Sequence, residues 1–535
     1  MQRRDFLKSS LSAAAISSLG LPKMAKASAW ASENLADDLP IAQIDTPSSI
    51  DFNGDMPTRP HNILWDVNGY FAKKGGVPPV SEHLDVVVVG GGVAGLTAAY
   101  HLRHKKVALI EQDMRFGGNA KGEVYKDAVY SIGSAYLCEP EADSDLGKLL
   151  TELDIWKKGR TESGEETSVF FGNAFRKPFW EGASDPEAAA DFKKFHAKMV
   201  EIYNEADFDH ETSEWAKAND RLTMEEWIQK EFGTLHPHIM EYLQLYAWSS
   251  FGASLDELSA LQYLGFISAE TGSLLVFPGG NSYVLHKMVQ KIRAESKTAS
   301  LRSGCLVMRV KNEGDGVSVV YENALGELIH VRAKHAILAC PKYVANYLVP
   351  EAGMERFNMV RRLPYRAYLV ANLFINKPFK APSYELYCLR GEMPPAPNPS
   401  RPPKRSFTDI CFGTWAQHDK TTHGVFTLYH GIAYDGARQN LFIPSAHEKY
   451  KNQYLTDIEP VLRTLGLNTQ DIHGIRMTRW GHALPVARAG MLVDGTAAAA
   501  SASVGNIHYA NQDNTMNPSF ESAFQAALTA IRRVE

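Results

Sequence analysis

The sequence predicts an α/β fold: a Rossmann-type dinucleotide-binding domain, with a central parallel sheet and a small antiparallel one, interleaved with an α+β domain. Three observations predict it. Asp85 leads into four consecutive valines, Val86 to Val89, the signature of a strand buried on both faces. A glycine-rich turn, Gly90-Gly91-Gly92-Val93-Ala94-Gly95, follows and opens a helix expected from about Ala94 to His104. Val107 to Ile110 then reads as the next buried strand, closed by Glu111.

Each part of this unit has a physical task. Gly90 permits the tight turn, Gly92 lets backbone approach a diphosphate, and Gly95 lets helix and strand pack closely. Val93 and Ala94 open the helix, whose free N–H groups and dipole favour an anion. Glu111 lies 21 residues after Gly90, where a carboxylate accepts from the ribose hydroxyls of an adenosine and repels a 2′-phosphate. Gln112 follows it. The turn alone leaves FAD and NAD open.

The chain has 535 residues, enough for two or more domains, with 44% hydrophobic and 22% charged residues, as in ordinary globular proteins. A net charge of −5 offers no basic field for nucleic acid. The five cysteines, Cys138, Cys305, Cys340, Cys388 and Cys411, form no C-x-x-C pair, so neither zinc nor attached haem is expected; one long-range disulfide is compatible with them. No metal site is expected, and no run after the N-terminus reaches the ~18 apolar residues of a membrane span.

The N-terminus reads as an address. Arg3-Arg4-Asp5-Phe6-Leu7-Lys8 precedes a weakly apolar stretch from Ser9 to Leu21, and Ala25-Lys26-Ala27 offers small residues for cleavage. This resembles a twin-arginine export signal over residues 1–29, which implies the twin-arginine machinery as a partner and the periplasm as destination. Residues 30–83, polar and rich in Pro, Gly and Asp, are expected to lie over the domain surface. The strands Val307–Val310, Val317–Tyr321 and Ala336–Ala339 and a last helix from Phe520 to Arg533 assign 84–140, 271–345 and 479–535 to the nucleotide domain. Residues 141–270, mainly helical, and 346–478, mixed with the apolar strand Tyr368–Ile375, form the substrate domain. Pro-rich Met393 to Pro403 reads as a loop or flap.

The segment after Glu111 distinguishes the cofactors. Arg115-Phe116-Gly117-Gly118-Asn119 resembles the Arg-x-Gly-Gly element of FAD-dependent amine oxidoreductases, the group of monoamine oxidases, polyamine oxidases and phytoene desaturases. The resemblance implies that Arg115, Gly117, Gly118 and Asn119 meet the FAD phosphates. Gly133-Ser134-Ala135-Tyr136 is similar to the family segment beside the flavin ring, and Phe277-Pro278-Gly279-Gly280-Asn281 to its Pro-Gly-Gly turn. Val307 matches a valine that meets adenine through its backbone. Ile507 to Ala526 resembles the closing motif, which places Asn511 and Asp513 near the ribityl chain or phosphates. Phe520 and Glu521 then stand at a helix start whose N–H groups stabilise charge on reduced flavin. The likeness covers most of 84–140, 271–345 and 479–535.

Two departures bear on chemistry. Many family members carry a lysine that holds water at flavin N5; the matching place falls near Val370 or Ala371, with no lysine. An acceptor other than oxygen is therefore at least as well supported. No cysteine follows Cys411, so the family's C-terminal thioether link cannot form and FAD is expected to be non-covalent. Arg479-Trp480-Gly481-His482-Ala483-Leu484-Pro485 is the active-site candidate: Trp480 as a pocket wall able to attract a cation, Tyr136 as a second wall, His482 as a base or a structural ring. This tract, with Tyr509-Ala510-Asn511-Gln512-Asp513, is similar to bacterial spermidine-dehydrogenase-like flavoproteins. The resulting expectation is oxidation of a small amine by hydride transfer to flavin N5 followed by imine hydrolysis. Desaturation or isomerisation of an apolar substrate, a non-catalytic flavin-binding assembly role, and NAD-dependent chemistry are the competing readings.

Overall fold

The computed structural model describes residues 38–535 except Pro403 and Lys420. The expected signal segment 1–29 and residues 30–37 lie outside the described residues.

The valine run forms the strand Glu82–Val89, in which Val86, Val87 and Val88 are essentially inaccessible. It pairs in parallel with Val107–Ile110 on one edge and with Leu328–Leu338 on the other; Ser300–Arg302 extends the sheet beyond Val107–Ile110. The first half of Leu328–Leu338 pairs antiparallel with Gly316–Glu322, which pairs with Leu306–Glu313. Its second half takes Ile507–Tyr509 in parallel. The antiparallel unit is thus continuous with the parallel sheet. Helices Val93–His101 and Phe520–Ile531 cover it with their buried alanine and leucine positions.

A second sheet of eight strands runs in the order Ala174–Arg176, Val169–Phe171, Glu385–Cys388, Asp409–Phe412, Gly424–Ile432, Tyr365–Ile375, Ile472–Pro485, Asn53–Gly54. Side chains alternate across it. Leu386, Ile410, Phe412, Phe426, Leu428 and Leu373 meet an apolar layer that includes Tyr454, Val461 and Leu462 of the helical segment 446–464. The opposite face carries Glu385, Tyr387, Asp409, Cys411, Tyr429 and Val370, and this face looks onto the site.

Three expectations change. Residues 141–270 contain the expected helices, notably Ala189–Glu205 and Pro237–Phe251, but also the strands Arg160–Ser163, Val169–Phe171 and Ala174–Arg176. The strand Ile472–Pro485 pairs with Tyr365–Ile375 on both sides of position 479, so a domain boundary there cuts a continuous ladder. Residues 38–83 do more than lie on the surface. Ile41–Gln43 pairs with Gly122–Tyr125, Asn53–Gly54 pairs with Ile472–Pro485, and Ile63, Leu64 and Phe71 enter the core under the first sheet.

The backbone before Met393 and the Arg405 side chain are tied to one buried carboxylate. Glu241 accepts from the backbone N–H of Arg390 and Gly391, each at 2.7 Å, and pairs with the Arg405 guanidinium. All five cysteines are free thiols. Among the described residues no helix is long and apolar enough to cross a membrane.

Candidate active site

The glycine-rich turn has the geometry its sequence demands. Gly90 sits at φ +104°, and a Cβ on Gly95 would stand 1.8 Å from the Gly90 carbonyl oxygen. Gly92 caps the helix Val93–His101 without side-chain help. Its Cα abuts the second glycine pair: a Cβ on Gly118 would lie 2.9 Å from it. Gly117 N–H donates to Gly91 O at 2.7 Å, tying the two turns together. Glu111 accepts from Gly91 N–H at 2.6 Å and from Asp113 N–H at 2.8 Å. Burial pushes its carboxyl above the usual range, opposed by Lys121 and those two amides.

From this point a cavity of about 700 Å³ runs to the face of the second sheet. Its walls include Gly90, Gly92, Val93, Ala94, Glu111, Gln112, Gly118, Asn119, Gly133, Ser134, Ala135, Val307, Asn511, Phe520 and Glu521 among the expected cofactor residues, and Tyr136, Trp480 and His482 among the expected pocket residues. Gly95 and Gly117 act behind the wall, in the packing just described.

Arg115 and Asp513 are corrected. The Arg115 guanidinium turns away from the cavity and donates to Pro40 O at 2.8 Å and Gly122 O at 2.6 Å. It clamps the N-terminal segment to the glycine turn, whose backbone then faces the cavity in its place. Asp513 is fully buried and accepts from Lys342 Nζ at 2.6 Å, Lys342 N–H at 2.8 Å and Tyr365 Oη at 2.8 Å. It fixes the closing motif from behind, while Asn511 reaches the wall.

The pocket candidates acquire definite roles. Trp480 Nε1 donates to Ile132 O at 2.8 Å, which sets its ring as a wall; the cation near that ring is the protein's own Lys121, 5.9 Å from its centre. His482 stacks on Tyr343 with ring centres 4.0 Å apart. Burial, with Arg438 and His61 nearby, lowers its pKa to about 3, so it is neutral in working conditions and a poor base. Tyr136 Oη donates to Glu270 at 2.9 Å.

That last contact leads to residues the sequence did not reveal. Glu270, Glu385 and Asp409 all face the chamber beside Tyr368, Tyr429 and Val370. Burial, with Glu521 and Asp409 near, lifts Glu270 to about 7; burial lifts Asp409 to about 7 against help from Ser249 and Thr408. Burial and the other carboxylates hold Glu385 well above the carboxylate range. The cavity's two basic side chains are already paired, Arg59 with Glu322 and Lys121 with Asp113.

The same cavity is roofed at its nucleotide end by residues 54–60. Asp55 pairs with Arg479 Nε at 3.0 Å and accepts from Gly481 N–H at 2.7 Å; Arg59 donates to Gly304 O at 2.9 Å and pairs with Glu322 at 2.9 Å. This roof bridges the two sheets over the wall that holds Val307. Arg59→Ala is expected to speed flavin release about tenfold, the effect of losing one or two charge-assisted contacts. Flavin fluorescence after dilution measures it, and an unchanged rate would remove the roof from cofactor retention.

A glycine cradle with no room for side chains at Gly90 and Gly95, a helix N-terminus, a carboxylate at the end of the next strand and a long cavity together fit a flavin dinucleotide. Comparison with known proteins agrees. Residues 93–534 match the model of the flavin-containing amine oxidoreductases.

The chain belongs to that family.

Oxidoreductase PigB of a Serratia species is 22% identical over 85% of this chain and 76% of its own length. Horse amine oxidase A is 23% identical over 55% of this chain, an alignment that spans only 57% of the horse protein. A structure of putrescine oxidase with putrescine bound superposes with a TM-score of 0.62 at 16% identity, over 84% of this chain and 99% of that one. Cyclohexylamine oxidase of Brevibacterium oxydans gives 0.60 at 17% identity, over 84% and 98%. The protein is an FAD-dependent oxidoreductase of mixed α/β fold. Its Rossmann-type unit and the second sheet meet at the cavity.

Proposed function

We propose that this flavoenzyme oxidises an amine at non-covalently held FAD and is exported to the periplasm through the twin-arginine route. The observation that carries the first part is the joining, in one cavity, of the glycine cradle to a chamber of aromatic rings and carboxyls that no basic side chain among the described residues neutralises.

FAD, held along the glycine turn and Glu111, would supply the electron sink for the hydride lost from the carbon that bears the nitrogen. The protein's share is placement and desolvation. Trp480, fixed by Ile132, and Tyr429, whose Oη donates to Gly133 O at 2.7 Å, are two anchored aromatic walls of the chamber. Tyr368 and Val370 add apolar wall. An ammonium placed among them loses hydration, its pKa falls, and the neutral amine that can release hydride becomes accessible. His482, neutral and stacked, contributes shape. The product imine hydrolyses in water.

Val370, on the strand Tyr365–Ile375, lines the chamber where the family resemblance would put a water-holding lysine. The missing lysine supports an organic or protein electron acceptor at least as well as oxygen. Carboxyls in the chamber argue against a wholly apolar substrate, and so against the desaturase reading.

An anaerobic screen of amines, amino acids and polyamines tests the activity through the flavin absorbance. Bleaching by at least one amine is expected, with faster reoxidation by a quinone dye than by oxygen. No bleaching by any would refute the reading. Trp480→Phe, which keeps a ring but loses the bond to Ile132, should lower kcat/KM about tenfold with flavin content retained; unchanged kinetics would take Trp480 out of the wall. Export rests on Arg3-Arg4 and the segment behind it. Changing both arginines to lysine should hold the protein in the cytoplasm, and an unaltered periplasmic fraction would contradict it.

A further inference from the structure

Desolvation in the chamber loosens a proton on the substrate nitrogen, and that proton must still reach solvent. Glu270, at the end of the helix Ala260–Ala269, faces the chamber with one oxygen held by Tyr136. It also lines a second, separate pocket of about 40 Å³ on the side away from the glycine turn. Glu385 borders both spaces as well, but burial and the carboxyls around it favour its protonated form, which cannot accept. Asp409 borders the chamber and not the small pocket.

Two local structures shape the small pocket. Gly164 N–H donates to Gly272 O at 2.6 Å, and a Cβ on Gly164 would lie 2.1 Å from the Glu270 carbonyl oxygen. Only glycine therefore lets this turn lie against the end of the Glu270 helix, and it brings Ser168 in behind it. From the other side, the helix Ala189–Glu205 buries Phe192, Phe195 and Met199. His196 stands at the edge of that buried face, its ring near-parallel to Trp180 with centres 6.0 Å apart. The residue is partly exposed, while its Nε2 is buried.

Three polar atoms on this pocket have no partner among the described residues: Ser168 Oγ, Tyr387 Oη and His196 Nε2. Ser168 and Tyr387 are 3% and 1% exposed. Their neighbours are already engaged. Thr167 and Thr271 donate their hydroxyls to Gly164 O and Ser268 O, each at 2.6 Å, and Glu162 accepts from the backbone N–H groups of Tyr384 and Glu385. Buried polar atoms left this way are costly unless water meets them. At roughly 10–15 Å³ for each water, a polar pocket of this size takes about three.

We propose that this pocket is the proton exit of the active site: Glu270 takes the proton of the substrate ammonium, waters on Ser168 and Tyr387 carry it, and His196 passes it to solvent. The inference rests on the amine reading above and adds a route to it. In the first step the ammonium N–H bond breaks, its electron pair stays on nitrogen, and the proton forms an O–H bond on the Glu270 carboxylate. Hydride then leaves the adjacent carbon for the flavin, and the nitrogen ends as an iminium. Each carrier beyond Glu270 gives up one proton as it accepts another, so one proton reaches solvent for each flavin reduced. A pKa of about 7, raised chiefly by burial, suits Glu270 to take and return a proton near neutrality. Burial lowers the pKa of His196, against Glu165 and Glu181, so it sheds the proton it receives.

Stopped-flow reduction of the FAD-loaded enzyme tests the route. A primary amine that bleaches the flavin is mixed in anaerobically, in weak buffer with a pH-indicator dye, so that bleaching and proton release are read together. In the wild type the proton is expected in step with bleaching. His196→Ala should hold the proton on Glu270 and make its release lag about tenfold behind bleaching, less than the loss of a positioned base because the pocket water remains. Added imidazole should remove that lag. Ser168→Val, which fills the pocket and removes its hydroxyl, should lag without rescue; Ser168→Ala, milder on packing, should lag less. Glu270→Gln should slow bleaching itself by about a hundredfold with flavin content retained, the lower end of what a positioned base contributes. A crystal structure should show ordered waters joining Ser168, Tyr387 and His196. A dry pocket there, proton release in step with bleaching in the His196 and Ser168 variants, or a lag that imidazole leaves unchanged would overturn the exit while leaving amine oxidation standing. Bleaching by no amine would overturn both.

Discussion

Gly95→Val is expected to leave a folded protein without flavin. The Cβ at this position would stand 1.8 Å from the carbonyl oxygen of Gly90, with the Cβ of Ala339 3.3 Å away on the other side. Neither neighbour is a mobile side-chain end, so relief requires the helix Val93–His101 to move off the turn. That movement takes the free N–H groups of the first helical turn from the place a diphosphate must occupy. The Gly92–Gly118 contact opens with it. Affinity for FAD should fall at least about a hundredfold, on the order of 3 kcal/mol. Gly92→Ala serves as the milder companion: its backbone φ of −79° suits alanine, and the nearest atom to the new Cβ is 3.6 Å away. It should fold normally and bind FAD more weakly, because the added methyl stands between amide and phosphate. Normal flavin content in Gly95→Val would show that the turn does not hold the cofactor.

Asp409→Asn is expected to stabilise the substrate-free enzyme at alkaline pH. Asp409 is 1% exposed, and burial raises its pKa from 3.8 to about 7, against smaller opposing hydrogen bonds from Ser249 and Thr408. The groups facing it are Glu385, Tyr387, Tyr429, Tyr368, Cys411 and, across the chamber, Glu270; none is basic. A carboxyl whose folded pKa is raised contributes stability below the unfolded value, near pH 4. The unfolded chain ionises first as pH rises, so that contribution drains away between about pH 4 and pH 7 and is absent above. The loss is on the order of 4 kcal/mol, reduced to the extent that solvent in the chamber screens the charge. Asparagine does not titrate. The difference between variant and wild type, from denaturant melts, should be near zero at pH 4.5 and largest above pH 7.5. A flat difference would mean that Asp409 ionises freely. A substrate cation should narrow the gap at high pH by neutralising the ionised cluster.

The two effects together describe a site selected for binding at the expense of stability. A protein that carries buried carboxyls without their counter-ions is less stable than it needs to be, and such strain is common where a charged ligand completes the fold. The aromatic walls make the cost larger by excluding water, and the same exclusion favours a neutral reacting nitrogen beside them.

The nucleotide end of this site was legible because its signals are local. Val86–Val89, the glycines from Gly90 to Gly95 and Glu111 lie within one βαβ unit, and each residue's task follows from backbone geometry. The closing helix at Phe520 was legible for the same reason. Arg115 and Asp513 show the limit: a motif places a residue near a site, while the direction of its side chain depends on partners elsewhere, here Pro40 and Gly122 for one and Lys342 for the other. The acidic chamber was hidden. Glu270, Glu385 and Asp409 come from three separate stretches and read singly as surface charges; only the ladder Glu385–Cys388 with Asp409–Phe412, and the helix above it, brings them together. The roof was missed because its strand at Asn53–Gly54 is two residues long and its binding groups, Asp55 and Arg59, sit in a stretch with no apolar period.

The central claim is that a glycine cradle holds FAD by backbone contacts and opens onto the acidic chamber. The visible spectrum of the purified protein, taken before and after denaturation, tests it most directly. One flavin per chain, released into the supernatant when the fold is lost, is the predicted result. Properly folded protein that is colourless and takes up no added FAD, or whose flavin stays with the precipitated chain, would contradict it.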